Sequence, residues 1–134
     1  MSEPVELRTD GPHGIEYTMQ VGDTLAEAVR VLNYATMPAR GGLDCPADVY
    51  SLLGLLYTGT QRLPQLFAQL TAFLASQRDA GNLADDHGRG VIEQVALAAF
   101  RLGKAHQAAA VLTGELQAAQ NAISGLYIKE DGNG

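Results

Sequence analysis

The stretch VIEQVALAAFRLGKAHQAAAVLTGELQAAQNAISGL, residues 91–126, sets the architecture of this chain. Its apolar positions step by four, three, four, three without interruption: Val91, Val95, Ala98, Leu102, Ala105, Ala109, Leu112, Leu116, Ala119, Ile123, Leu126. A heptad seam of about five repeats lets one helix bury a narrow stripe against a partner. The spacing predicts a helix from about 88 to 127, roughly 55–60 Å long at 1.5 Å per residue. Many seam positions are alanine, which demands close approach of the partner backbone. A second stripe at Leu97, Phe100 and Val111 lies off the seam, so the helix is expected inside a bundle.

Working back from that helix, Gly81–Gly90 reads as a connecting loop, with Asp85 and Asp86 placed to complement the positive end of the helix dipole. A second helical stretch runs from about 47 to 80. Val49, Leu52, Leu53 and Leu56 line its first part, and Leu63, Leu66, Phe67, Leu70, Phe73 and Leu74 its second. Pro64 removes one backbone hydrogen bond and clashes with the carbonyl of Thr60, so a kink or short break is expected near 58–63. Folded back as an antiparallel hairpin, this helix covers the last one. Ahead of it, Pro38–Pro46 is a loop. A shorter helix is predicted over about 24–36, opened by a Thr24/Glu27 capping box and stopped by Pro38.

Residues 15–21 alternate strictly, with Ile15, Tyr17, Met19 and Val21 apolar and Glu16, Thr18 and Gln20 polar. Period two reads as a half-buried strand. Val5–Arg8 echoes it across a segment of turn formers, so residues 1–22 are expected to form a β-hairpin or an N-terminal arm. Two strands alone are marginal in water, and Ile15, Tyr17, Met19 and Val21 are candidate strand-edge contacts. The expected fold is mainly α: this arm, then a helical bundle over 23–134.

The chain has 134 residues, 46% of them apolar and only 18% charged, with a net charge of −6. One domain with a core of its own is the natural reading at this length. Its nine basic residues are scattered singly, which argues against nucleic-acid binding through phosphates. One cysteine excludes an internal disulfide, and the N-terminus shows no basic segment followed by an apolar run. No apolar stretch approaches a membrane span. The expected location is cytoplasmic.

Chemistry is sparse. Asp85-Asp86-His87 offers oxygen and nitrogen donors for a divalent metal, but no second ligand cluster accompanies it, and a solvated loop is the preferred reading. Cys45 stands near a helix N-terminus, where a thiolate is favoured, with no histidine locally placed to activate it. Arg40-Gly41-Gly42 reads as a turn before it reads as an anion cradle. No phosphate-binding loop, nucleophile elbow or zinc motif is present. The chain is therefore read as non-enzymatic, without metal or other cofactor.

Between 88 and 128 the only charges are Arg89, Glu93, Arg101, Lys104 and Glu115, and the positions flanking the seam are small and neutral. A monomeric four-helix bundle is one reading. A homodimer meeting through Ala109, Leu112, Leu116, Ala119, Ile123 and Leu126 is preferred, with a further protein partner recruited as a scaffold or adaptor does.

Two resemblances accompany these readings. Ala28–Thr36, Arg40–Leu43, Pro46–Leu52 and Arg62–Leu66, with Ala80-Gly81 and Asp85-Asp86, resemble small uncharacterised helical proteins of streptomycetes and related actinomycetes associated with mobile elements. That resemblance implies shared architecture and carries no activity. Tyr127 and Asp131 match the Tyr-x-x-x-Asp/Glu tail that follows the helical hairpin of type VII secretion proteins, a plan the chain resembles in outline without its Trp-x-Gly turn.

Overall fold

The computed structural model describes residues 5–130. Three α-helices carry the chain, α1 (Ile15–Ala35), α2 (Pro46–Asp79) and α3 (Val91–Ala122), with one 3-10 turn at Pro38–Arg40. The chain divides into two units, Met1–Asp44 and Cys45–Gly134. The mainly α expectation holds.

In the first unit the expected strand is helix, and among the described residues there is no strand. Strict alternation over seven residues also satisfies helical spacing, because Ile15 and Met19, like Tyr17 and Val21, are four apart. Adding turns to a helix already nucleated over 24–36 needs no second nucleus, whereas an isolated hairpin is marginal. Thr24 accordingly caps nothing: its hydroxyl donates to the Gln20 carbonyl at 2.8 Å inside the helix. The first turn begins instead at Gly14, whose carbonyl accepts the Thr18 N–H at 3.1 Å.

The segment ahead of α1 folds onto Tyr17. Its hydroxyl donates to the Glu6 carbonyl at 2.7 Å and accepts the Arg8 N–H at 3.0 Å. The Arg8 guanidinium lies 4.6 Å from the ring centroid, and the His13 ring 4.8 Å away. At the other end Met37 takes the extended conformation that Pro38 imposes, and Gly41 adopts a left-handed φ of 72°. The chain then returns so closely that a Cβ at Gly42 would overlap the Ala35 carbonyl oxygen.

The second unit is an antiparallel helical hairpin. Pro46 stands at the first turn of α2, and Cys45 and Asp48 form a capping box in which the Asp48 carboxylate accepts the Cys45 N–H at 3.2 Å. α2 then runs through Pro64 as one helix, so of the kink or short break expected near 58–63 the break does not occur. The missing Pro64 N–H costs one bond, and the face packed on α3 holds the helix together across it. Gly81, at φ 75°, ends α2 in a Schellman turn, with Gly81 N–H on the Arg78 carbonyl and Asn82 N–H on that of Gln77, each at 3.0 Å.

α3 starts at Val91, the first seam residue and three residues later than the expected start at about 88. Gly88 and Gly90 have φ of 66° and 99°, outside helical geometry. It ends at Ala122, where Ile123 N–H caps onto the Ala119 carbonyl. Its length is roughly 48 Å at 1.5 Å per residue.

Candidate interaction faces

Only Val95 and Ala109, at 7% and 5% exposure, are buried among the described residues, and both lie on the seam of α3. Val91, Ala98, Leu102 and Ala105 are half-buried beside them. Beyond Ala109 the covered positions change register. Thr113, Leu116, Gln120 and Ile123 are half-buried, while Leu112, at 47%, and Ala119 are exposed. A strict heptad keeps facing its partner only if the helix supercoils. An α-helix at 3.6 residues per turn drifts about 20° per heptad. After Ala109 the accumulated drift brings the next position round, and two successive steps of four re-centre the contact.

Two polar links fix how α2 and α3 meet. Thr113 donates to the Thr60 hydroxyl at 2.8 Å, and Thr60 donates to the Tyr57 carbonyl at 3.1 Å. The Ala109 carbonyl, 2.7 Å away, is a second acceptor for the single Thr113 hydroxyl hydrogen, which is shared between it and Thr60. Further along, the Gln120 side chain donates to the Tyr50 carbonyl at 3.1 Å, passing over Gly54, where a Cβ would crowd its amide nitrogen. Carried along the antiparallel hairpin, this register sets Pro64 level with Ala109. Among the half-buried positions of α2, Leu53, Tyr57, Thr60, Pro64, Phe67, Thr71 and Leu74 follow the same face.

Thr60, Thr113 and Gln120 were not legible as contact residues, because polar side chains disappear from an apolar count. Stepping four rather than three beyond Ala109 is the signal that finds Thr113 and Gln120.

The predicted interaction residues are thereby separated. Ala109, Leu116 and Ile123 belong to the side that carries the polar links to α2; Leu112 and Ala119 are exposed beside it, and Leu126 is exposed past the end of α3. On α1, Tyr17 and Val21 are half-buried, whereas Ile15 and Met19 are exposed. The large apolar residues of the hairpin that remain uncovered are concentrated on its outer sides. Phe100 and Val111 on α3 are 55% and 66% exposed, with Leu97 beside them, and Leu55, Leu66, Leu70 and Phe73 are exposed on α2; Val49, Tyr50, Leu56, Ile92 and Leu112 are uncovered elsewhere on the two helices.

The loop at 85–87 is organised around Asp85. Its carboxylate accepts the His87 and Arg89 N–H groups at 3.2 and 2.8 Å and the Arg89 guanidinium at 3.2 Å. The Arg89 hydrogen bond, followed by that of the His87 amide, holds the Asp85 carboxyl below its ordinary pKa. Among the described residues no three His, Cys, Asp or Glu side chains come together as a metal set. Cys45 is half-buried in its capping box. No helix among the described residues is long and apolar enough to cross a membrane. No family model, curated protein or solved structure matches the chain.

Proposed function

We propose that this chain is a non-enzymatic cytoplasmic adaptor that works as a homodimer and recruits a protein partner through its helix faces. The observation that carries the reading is the outer apolar surface of the hairpin. A two-helix hairpin covers one side of each helix, yet both α2 and α3 carry a second set of large apolar residues. Phe73, for example, is 62% exposed. Patches of that kind mark association surfaces in soluble proteins. The single charge between Asp48 and Arg78 on α2 is Arg62, so little on that helix opposes docking. The test is the mass in solution across a concentration series by sedimentation equilibrium. A dimer at low micromolar concentration is expected; a strict monomer at high micromolar concentration removes the proposal.

A second reading, a secretion-linked helical hairpin of type VII character, draws on one observation. Tyr127 follows the end of the α2–α3 hairpin and, at 81%, is the most exposed large apolar side chain among the described residues. Asp131, the other half of that pattern, lies outside the described residues. Replacing Tyr127 with Ala should lower the extracellular amount if this reading is right and leave it unchanged if it is not.

A further inference from the structure

Resting on the self-association proposed above, the side of α3 opposite its contact with α2 adds a face and a register. We infer that two copies pack α3 against α3, antiparallel, about a two-fold axis level with residues 109 and 110.

The charges argue for it first. Lys104 and Glu115 are both exposed and stand eleven residues apart, three helical turns, so they share the outer face. About 16 Å of helix separates them, too far to pair within one chain. Glu115 takes part in no ion pair among the described residues, and the Lys104 ammonium lies over the Phe100 ring, 5.4 Å from its centroid. In a two-fold interface, if one residue meets another across the axis, the reverse contact is made as well. Antiparallel packing in this register therefore forms the Lys104–Glu115 pair twice. Parallel packing in register would place Lys104 on Lys104 and Glu115 on Glu115.

Side-chain volume follows the same symmetry. The outer face is bulky in its first half, at Leu97 and Phe100, and small in its second, at Ala118 and Ala122. Turning one copy end over end lays Leu97 against Ala122 and Phe100 beside Ala118, while Val111 meets Ala108 next to the axis. Large residues opposite small ones let two helices approach closely and interdigitate.

Charge reversal tests the register on the full chain. Lys104→Glu and Glu115→Lys each place like charges together twice, and each should weaken dimerisation about tenfold or more at low salt. Carrying both reversals restores the pairs and should return the dimer to within about threefold of the parent. Mixing the two single variants should likewise yield a heterodimer, because one copy then presents two Glu and the other two Lys. Far-UV circular dichroism checks that the helices persist in each variant; Phe100→Ala, which removes bulk without touching charge, supplies an independent weakening. A parent dimer indifferent to both single reversals overturns this register while leaving self-association standing. A parent that is monomeric at every concentration overturns both.

Discussion

Two backbone N–H groups and the Arg89 guanidinium converge on the Asp85 carboxylate, so the charged form is stabilised in the folded chain. Its pKa is accordingly lower when folded than when unfolded. A group shifted in that direction contributes stability above its unfolded pKa and loses that contribution as pH falls through the lower folded value. In Asp85→Asn the single amide oxygen can keep only one of the two backbone bonds, which end on different carboxylate oxygens, and the attraction to Arg89 is gone. Urea midpoints measured from pH 6 to pH 2.5 should therefore decline less steeply for Asp85→Asn than for the parent, the curves converging in acid. Parallel curves would show that Asp85 titrates as an ordinary surface carboxylate. In the sequence the same residue reads as a dipole partner or a metal donor. Its actual role depends on Gly88, whose left-handed φ of 66° helps return the chain so that Arg89 reaches back, and a turn of that kind is not written in any single residue type.

At the scale of the helices, the Thr60–Thr113 link is where α2 and α3 are tied by side chains near the middle of the hairpin. Removing either hydroxyl breaks the same cross-helix bond and leaves the other donating to a carbonyl of its own helix, Tyr57 or Ala109, whereas removing both leaves a matched apolar contact. Val keeps the shape and the β-branch of Thr, so helix propensity is nearly unchanged. Thr113→Val should cost about 1 kcal/mol in thermal or urea unfolding, and Thr60→Val with Thr113→Val together should cost less than the two single losses added. Strict additivity would mean that the two hydroxyls act separately. The helices themselves were largely legible: Pro38, Pro46 and Gly81 punctuate the chain as their backbone restrictions require. Two features were not. The alternation at Ile15–Val21 fits a strand and a helix equally well, and only the continuation into 24–35 decides between them. A kink or short break near 58–63 follows from local chemistry alone, whereas the helix runs unbroken through Pro64.

For the whole molecule, α3 has two sides with different tasks, and one substitution on each separates them. Leu116 is half-buried on the side that meets α2, while Phe100 is 55% exposed on the opposite one. An aspartate at position 116 removes apolar contact and brings a charge into the helix interface, costing about 3 kcal/mol or more. An aspartate at position 100 faces water in the monomer and should cost within about 0.5 kcal/mol there, since Phe and Asp have similar helix propensity. Leu116→Asp is therefore expected to lower the thermal midpoint and the helical circular dichroism of the dilute chain. Phe100→Asp is expected to leave both nearly unchanged in dilute solution and to reduce the mass measured at high concentration. The seam at 91–126 predicts the importance of both positions without distinguishing them, because a one-dimensional heptad count cannot register the drift that carries Leu112 off the interface and Thr113 onto it. If Phe100→Asp melts like Leu116→Asp at a concentration where the parent is monomeric, the outer side of α3 supports the fold of the single chain. Unchanged melting with loss of mass instead assigns that side to association.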